Sequence, residues 1–419
     1  MARHRTGLIA ALDVGTSKTC CFIARVDGSG VPQIVGFGHH AAQGMRGGVI
    51  VDLEAAAASI SDTIEAAERM AGETIKRVIV GVSAARTASH IVRSEIALNG
   101  RAIGGEEVTR ALSAGRGMHP AADGDILHFL PLGYLVDGAR GVRDPRGMYG
   151  ERLGLDVHLV TAEAGPVRNL RACVERAHVE VEAMVVAGYA AGLAALTEDE
   201  KELGSTLIDM GGGTTGIAVF HEGELVFSDC IGLGGGLVTQ DVAKLLATPI
   251  NEAERLKARD ASCMVTADDE QTYLMVPAIG ETDLAEHVQV PRARLNRIVC
   301  DRVEETLEIV HSHLRDSGFG ALGAGSIVLT GGASLLHGVE RLAQQIFGKR
   351  VRIGRPLGID GIPDQSSGPA FATCAGLLLY GLSDNPPLPA MPADHPGAGE
   401  TGGMFGRIGR FGDWLRNNL

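Results

Sequence analysis

Residues 205–220, STLIDMGGGTTGIAVF, set one apolar β-branched run against another across a loop of three glycines and two threonines. Residues 8–26, LIAALDVGTSKTCCFIARV, repeat the order of parts: apolar strand, Asp, a small-residue loop, apolar strand. Two such hairpins restrict the fold, because each needs a sheet to pair into and each exposes successive backbone N–H groups at its tip. Only Gly, Ser and Thr leave those groups open to close approach by an anion such as phosphate.

Hydroxyls of Thr16, Ser17, Thr214 and Thr215 are candidate further donors, and Lys18 supplies positive charge to a phosphate group. Asp13 and Asp209 end the first strand of their hairpins, where they can hold a hydrated Mg²⁺ between the loops. A single loop of this kind is better explained as an ordinary hairpin turn. Two loops with matching Asp positions, and a third glycine loop in VLTGGAS (residues 328–334), favour the phosphate reading. The chain has no G-x-x-x-x-G-K-[ST], and no G-x-G-x-x-G opening a helix after a strand.

Around the hairpins the chain reads as two α/β lobes built in the same order: three strands, a helix, then a further strand. A length of 419 residues suits two or more cores. The first-lobe core spans 1–90, an inserted subdomain 91–157 and the rest of that lobe 158–203, closed by an Ala-rich helix. The second-lobe core spans 204–248, an insertion with a long helix 249–322, and the remainder 323–382. Residues 383–403 hold five of the sixteen prolines and read as a flexible linker to an amphipathic segment, 404–419. Glycine, at 58 residues, is at about twice its usual share. The formal charge of −13 argues against nucleic acid as a partner. Seven cysteines without a C-x-x-C pair suggest reduced thiols rather than zinc or disulfides. With neither a signal-peptide pattern nor an apolar run long enough to span a bilayer, the expected compartment is the cytoplasm.

The hairpins, the terminal glycine loop and the duplicated lobes resemble the superfamily of actin, sugar kinases and heat-shock chaperone ATPases. Within it the chain is similar to the FtsA family of bacterial cell-division proteins, on ALDVGTSKT, LTEDEKELGSTLIDMGGGTTGIAVF, TPINEAERLK, VLTGGASLLHGVERLA and the amphipathic tail. The resemblance implies a duplicated actin-like (ribonuclease H-like) fold with ATP between the lobes. Gly15, Thr16, Ser17 and Lys18 would lie on one side, and Gly211, Gly212, Gly213, Thr214 and Thr215 on the other. It also implies that Glu252, Glu254 or Lys257 approach the ribose, and Gly331, Gly332 and Ala333 the adenine. On the residues alone, NEAERLK is a solvated charged helix.

Where many relatives carry Asp after the second loop, this chain has Gly216, and AGYAAGLAAL lacks a Gln or Glu to orient water. The expectation is therefore ATP and Mg²⁺ binding with slow or negligible hydrolysis. The resemblance further implies filament self-association, contacts of the inserted subdomain with other division proteins, and docking of the acidic, apolar C-terminal peptide of FtsZ on the second insertion. Arg292, Arg294, Arg297 and Arg302 are the candidate contacts there; solvated surface charges are the alternative.

On a helix, Met404, Phe405, Ile408, Phe411, Leu415 and Leu419 share a face, with Arg407, Arg410 and Arg416 elsewhere and Trp414 at the boundary. That pattern fits a helix lying in an anionic membrane interface; docking on the chain's own body is the alternative. Gly406, Gly409 and Gly412 each cost such a helix roughly 1 kcal/mol relative to Ala, so it would fold on lipid. Weak single anchors become stable attachment when a filament multiplies them. The sum is a polymer that tethers the FtsZ ring to the cytoplasmic membrane face at the division site. A soluble small-molecule kinase of the same superfamily is the rival, and a chaperone ATPase a more distant one.

Overall fold

The computed structural model describes residues 6–28, 30–83, 86–118, 124–280, 287–319 and 325–383. The first apolar run forms β1 (Gly7–Val14), antiparallel to β2 (Lys18–Val26), which pairs with β3 (Pro32–Ala41). A small hairpin, β4 (Met45–Arg46) and β5 (Val49–Ile50), leads to α1 (Leu53–Ala71). The ends of α1 follow from sequence: Asp52 accepts from the N–H groups of Glu54 and Ala55, and Gly72 closes the helix in the left-handed conformation.

After β6 (Arg77–Val82) the chain leaves the lobe for a four-stranded antiparallel sheet. Its parts are β7 (Thr87–Ala97), α2 (Gly105–Arg116), β8 (Asp125–Val136), β9 (Ala139–Val142) and β10 (Arg152–Ala162), with strand order β7-β10-β8-β9. This insertion is longer than the 91–157 read from sequence. β7 begins at Thr87, and β10 runs to Ala162 as a central strand of the inserted sheet instead of returning to the first lobe at 158. The cause is register: β7 and β10 pair along their whole lengths, Thr87 with Ala162 and Ala97 with Arg152.

The chain returns through α3 (Ala164–Arg176), β11 (Glu180–Val186), α4 (Ala187–Ala195) and α5 (Glu198–Leu203). The first-lobe sheet is thus ordered β3-β2-β1-β6-β11, with β6 and β11 parallel to β1. The second lobe repeats it. There β12 (Ser205–Met210), β13 (Thr215–His221) and β14 (Glu224–Ile231) form the meander, followed by α6 (Gly235–Leu245) and α7 (Ile250–Arg259). A hairpin of β15 (Tyr273–Val276) and β16 (Val288–Pro291) precedes α8 (Arg292–Asp316). Then come β17 (Ser326–Thr330), α9 (Val339–Phe347), β18 (Arg350–Ile353) and α10 (Ala372–Leu382). The sheet order is β14-β13-β12-β17-β18, with β17 and β18 parallel to β12.

Two apolar helices, the Ala-rich α4 and the Leu-rich α10, exchange lobes relative to the order of the chain. α4, expected to close the first lobe, packs on β12, β13 and β14 of the second. α10, which follows the second-lobe strands in the chain, packs on β1, β2 and β6 of the first. They cross each other on the way. At the crossing a Cβ on Gly376 would lie 1.6 Å from the carbonyl oxygen of Ala190, so only glycine fits. One buried apolar cluster therefore spans both lobes, joining Leu12, Ala190 and Leu377 to Leu207, Ala218 and Phe220.

Gly376→Ala is expected to lower stability by about 1–3 kcal/mol or more in a denaturant titration, as overpacking against backbone does. Gly105→Ala, whose Cβ would meet nothing within 4 Å, should change the midpoint little.

Candidate functional site

The two glycine hairpins are built alike. Gly15 N–H donates to the Lys18 carbonyl, and Gly211 N–H to the Thr214 carbonyl, both at 2.9 Å. Asp13 and Asp209 occupy equivalent places, one residue before the last of their strands, and each has a parallel neighbour, Gly81 or Thr330. The tips meet face to face. A Cβ on Gly212 would stand 1.9 Å from Ser17 Oγ, and one on Gly213 2.3 Å from Thr16 Oγ1.

The carbonyls of these loops are tied back. Gly211 and Gly212 carbonyls accept from Gly235 and Gly236 N–H at the start of α6, at 2.9 and 2.7 Å, and the Ser17 carbonyl accepts from Ala42 N–H. The N–H groups of Thr16, Ser17, Gly212 and Gly213 donate to no acceptor among the described residues. Four such donors at the meeting point of two loops form a cradle for an oxyanion.

Beneath them stand Asp13 and Asp209 with Lys18. Burial pushes the Asp13 carboxyl up to about 6, with Lys18 opposing the rise and Asp209 adding to it. Burial also raises Asp209, opposed by the hydroxyl of Thr373, which donates to its Oδ2 at 3.0 Å, and by Lys18. The Lys18 ammonium donates to the Ala370 carbonyl and sits 3.6 Å from the centre of the Phe371 ring. A desolvated carboxylate pair with a single lysine is short of positive charge, a setting suited to a hydrated divalent cation.

Of the proposed hydroxyl donors, Thr215 is already committed: it is buried and donates to the Leu233 carbonyl at 2.7 Å. It fixes the loop before α6 and is not aimed into the cleft. Gly331 takes a positive φ of 84° and abuts Asp209, where a Cβ would fall 2.4 Å from Oδ1. Gly332 follows it, and the Ala333 Cβ lies 3.1 Å from the Cβ position of Gly235. Lys257 donates to Glu254 (2.7 Å), Thr239 Oγ1 (2.8 Å) and the Gly235 carbonyl (3.1 Å). Glu254 and Lys257 thus join the glycine loops. Glu252 does not: it pairs with Arg255 at 2.6 Å instead.

The four candidate arginines line α8, each with a partner of its own. Arg292 pairs with Asp269 (2.5 Å) and Arg302 with Asp241 (2.5 Å). Arg297 pairs with Glu270, and Arg294 donates to the Leu245 carbonyl at 2.7 Å. The proposed membrane residues, Phe405 to Arg416, lie outside the described residues. No helix among the described residues is long and apolar enough to cross a membrane.

Sequence reading did not pick out Gly234–Gly236 or Thr373. The first carried a signal, a glycine run immediately before a helix; the second only a lone hydroxyl in an apolar segment.

Two sheets of one topology, facing glycine hairpins and exchanged helices define the actin-like two-lobed class. Solved structures agree on the fold. The PilM–PilN type IV pilus biogenesis complex matches with a TM-score of 0.63 at 16% identity, covering 90% of this chain and 98% of that one. MreB5 of Spiroplasma citri bound to ADP matches with a TM-score of 0.54 at 14% identity, covering 90% and 96%. The sequence model for "Cell division protein FtsA" matches residues 206–376, and that for "SHS2 domain inserted in FTSA" matches 84–161, ends that lie within three residues of those of the inserted sheet. Cell division protein FtsA of Agrobacterium fabrum is 43% identical over 436 residues, 100% of this chain and 96% of that protein. Those of Pseudomonas aeruginosa (37% identical, covering 91% of each) and Escherichia coli K12 (31% identical, covering 89% and 90%) are similar as well. The chain belongs to the FtsA family, and its role is in cell division.

Asp13 supplies a signed test. Its pKa of about 6 in the fold, against an ordinary 3.8, means the ligand-free native state holds more protons than the unfolded chain between those values. Stability from this group is therefore greatest below about pH 4 and falls as pH rises through 6. Asp13→Asn, measured by urea titration without magnesium, should stabilise the protein at pH 8 by roughly 1–3 kcal/mol. At pH 4 it should change stability little, since Asp13 is then protonated as well.

Proposed function

We propose that the protein is an ATP-binding, filament-forming member of the family that holds the FtsZ ring on the cytoplasmic face of the membrane at the division site. The observation that carries the nucleotide half is the pair of closely facing loops, with four N–H groups that have no acceptor among the described residues, next to strands that bear two carboxylates and a lysine. Gly15 to Lys18 and Gly211 to Thr214 would hold the phosphates by backbone N–H, hydroxyl and ammonium. Asp13 and Asp209 would hold magnesium through its waters, and the bound ion would neutralise phosphate charge. Glu254 and Lys257 would meet the ribose, and Gly331, Gly332 and Ala333 the adenine. A solved relative in fold, the MreB5 protein, is described as bound to ADP, which supports a nucleotide in this class of cleft.

Hydrolysis is slow in this reading. α4 offers the cleft only alanine, glycine and leucine besides Tyr189, so no carboxylate or amide orients water from there. At position 216 a Cβ would find ordinary contacts of 3.6 and 3.7 Å, to Gly188 and Asp209, so space for the missing carboxylate exists but the group does not. Nucleotide then serves to hold the lobes in one relation, and assembly follows from surfaces.

The inserted sheet would supply self-association and contacts with other division proteins. On α8, an acidic apolar peptide of FtsZ would take Arg292, Arg294, Arg297 and Arg302 by replacing their present partners. Arg297, with 58% of its side chain open against 38% for Arg292 and 27% for Arg302, is easier to recruit than those two. Residues Phe405, Ile408, Phe411, Trp414 and Leu415 would enter the membrane interface, with Arg407, Arg410 and Arg416 on anionic headgroups. Membership of a division family leaves the kinase alternative without support.

The test is co-sedimentation with liposomes in ATP and magnesium, comparing the full chain with one ending at Leu382. The full chain should pellet with anionic liposomes and much less with neutral ones, and the truncated chain should stay in solution. If both remain soluble, the tethering function fails.

A further inference from the structure

The inserted sheet touches the second lobe through a closed relay of hydrogen bonds. His158, on β10 and fully buried, has its Nδ1 2.8 Å from the Leu225 carbonyl of β14. A carbonyl only accepts, so Nδ1 carries the proton and Nε2 is the acceptor. Nε2 receives the Ser89 hydroxyl of β7, and Ser89 Oγ in turn accepts from Ser228 N–H of β14 at 3.0 Å. Each donor and acceptor in the circuit is used once, and only neutral imidazole completes it.

The strand it grips is the open edge of the second-lobe sheet. β14 carries an irregularity in which Phe220 pairs with Leu225 and Val219 with Phe227, leaving Val226 over. That extra residue lets the Leu225 carbonyl and Ser228 N–H, three positions apart, both reach the inserted sheet. An edge normally left to solvent is thereby capped by two side chains. Ile91 and Leu132 of the insert pack against the second-lobe core, while Leu127, Leu130 and Val160 belong to the cluster that includes the first lobe. On the first-lobe side, His128 Nε2 accepts from Val186 N–H at the start of α4, at 3.0 Å.

We propose that the inserted subdomain is a brace between the lobes, fastened to the second by the Ser89–His158 clamp, so that rotation of that lobe is transmitted to the orientation of the insert. The chain joins the insert only to the first lobe, so without the clamp its relation to β14 would rest on side-chain packing and on Arg143, which pairs with Glu202 and whose charge acts on Glu224 of β14. The inference stands apart from the nucleotide and membrane readings, since it concerns only what the clamp holds.

The experiment uses the full chain, without nucleotide, labelled for pulsed electron spin resonance on Arg110→Cys in α2 and Glu340→Cys in α9, with Cys300→Ala throughout. Hydrogen exchange of residues 224–231 is followed in parallel. Ser89→Ala should speed exchange of the Ser228 amide at least about fivefold, the loss of one hydrogen bond, and broaden the distance distribution between insert and second lobe. Ser89→Thr keeps the hydroxyl and should restore both, which separates the clamp from general loosening of the fold. Unchanged exchange in Ser89→Ala, or faster exchange with an unaltered distance distribution, would overturn the proposal.

Discussion

Between Thr16–Ser17 on one lobe and Gly212–Gly213 on the other there is no room for a further carbon, and this closeness governs the rest of the molecule. A gap of that width can be kept only if both loops are rigid. Each is a tight turn closed by its own hydrogen bond, and the second is tied by its carbonyls to the start of α6. With these carbonyls occupied, the N–H groups of Thr16, Ser17, Gly212 and Gly213 are left without an acceptor among the described residues. The same close approach puts two carboxylates near each other in a poorly solvated place, which costs stability unless a cation arrives.

Holding two lobes at such a distance requires more than the loops. The exchange of α4 and α10 supplies it, because each lobe buries a helix contributed by the other half of the chain. Their crossing at Gly376 and Ala190 is backbone against side-chain-free backbone, a contact with little slack. The insert adds a second tie at the far edge of β14 through Ser89 and His158. Burial holds the His158 imidazole neutral down to about pH 4, so this tie is insulated from ordinary changes of pH.

Much of this was legible in the sequence, for local reasons. Asp52 and Gly72 mark the ends of α1 by capping chemistry, and the strand pairs around Asp13 and Asp209 follow from apolar runs split by small residues. The glycine loops announced the cleft. What was hidden depends on partners distant in the chain. Nothing local in Thr87–Ala97 says that it will pair with Arg152–Ala162, so the local pattern bounds the insert more narrowly than the strand register does. α4 and α10 are apolar all round, so their composition gives burial but not which lobe buries them. The Thr215 hydroxyl looked like a ligand donor because its loop did, yet Leu233 had already claimed it. Glu252 and Glu254 are indistinguishable in NEAERLK until the helix phase turns one toward Thr239 and the other toward Arg255.

The most direct measurement is site-resolved hydrogen exchange of the full chain during titration with Mg–ATP. If one polyphosphate is held by both lobes, the amides of residues 15–18 and 211–215 become protected together, at the same half-saturating concentration. Protection of one hairpin alone, or of neither while nucleotide binds elsewhere, would contradict the account.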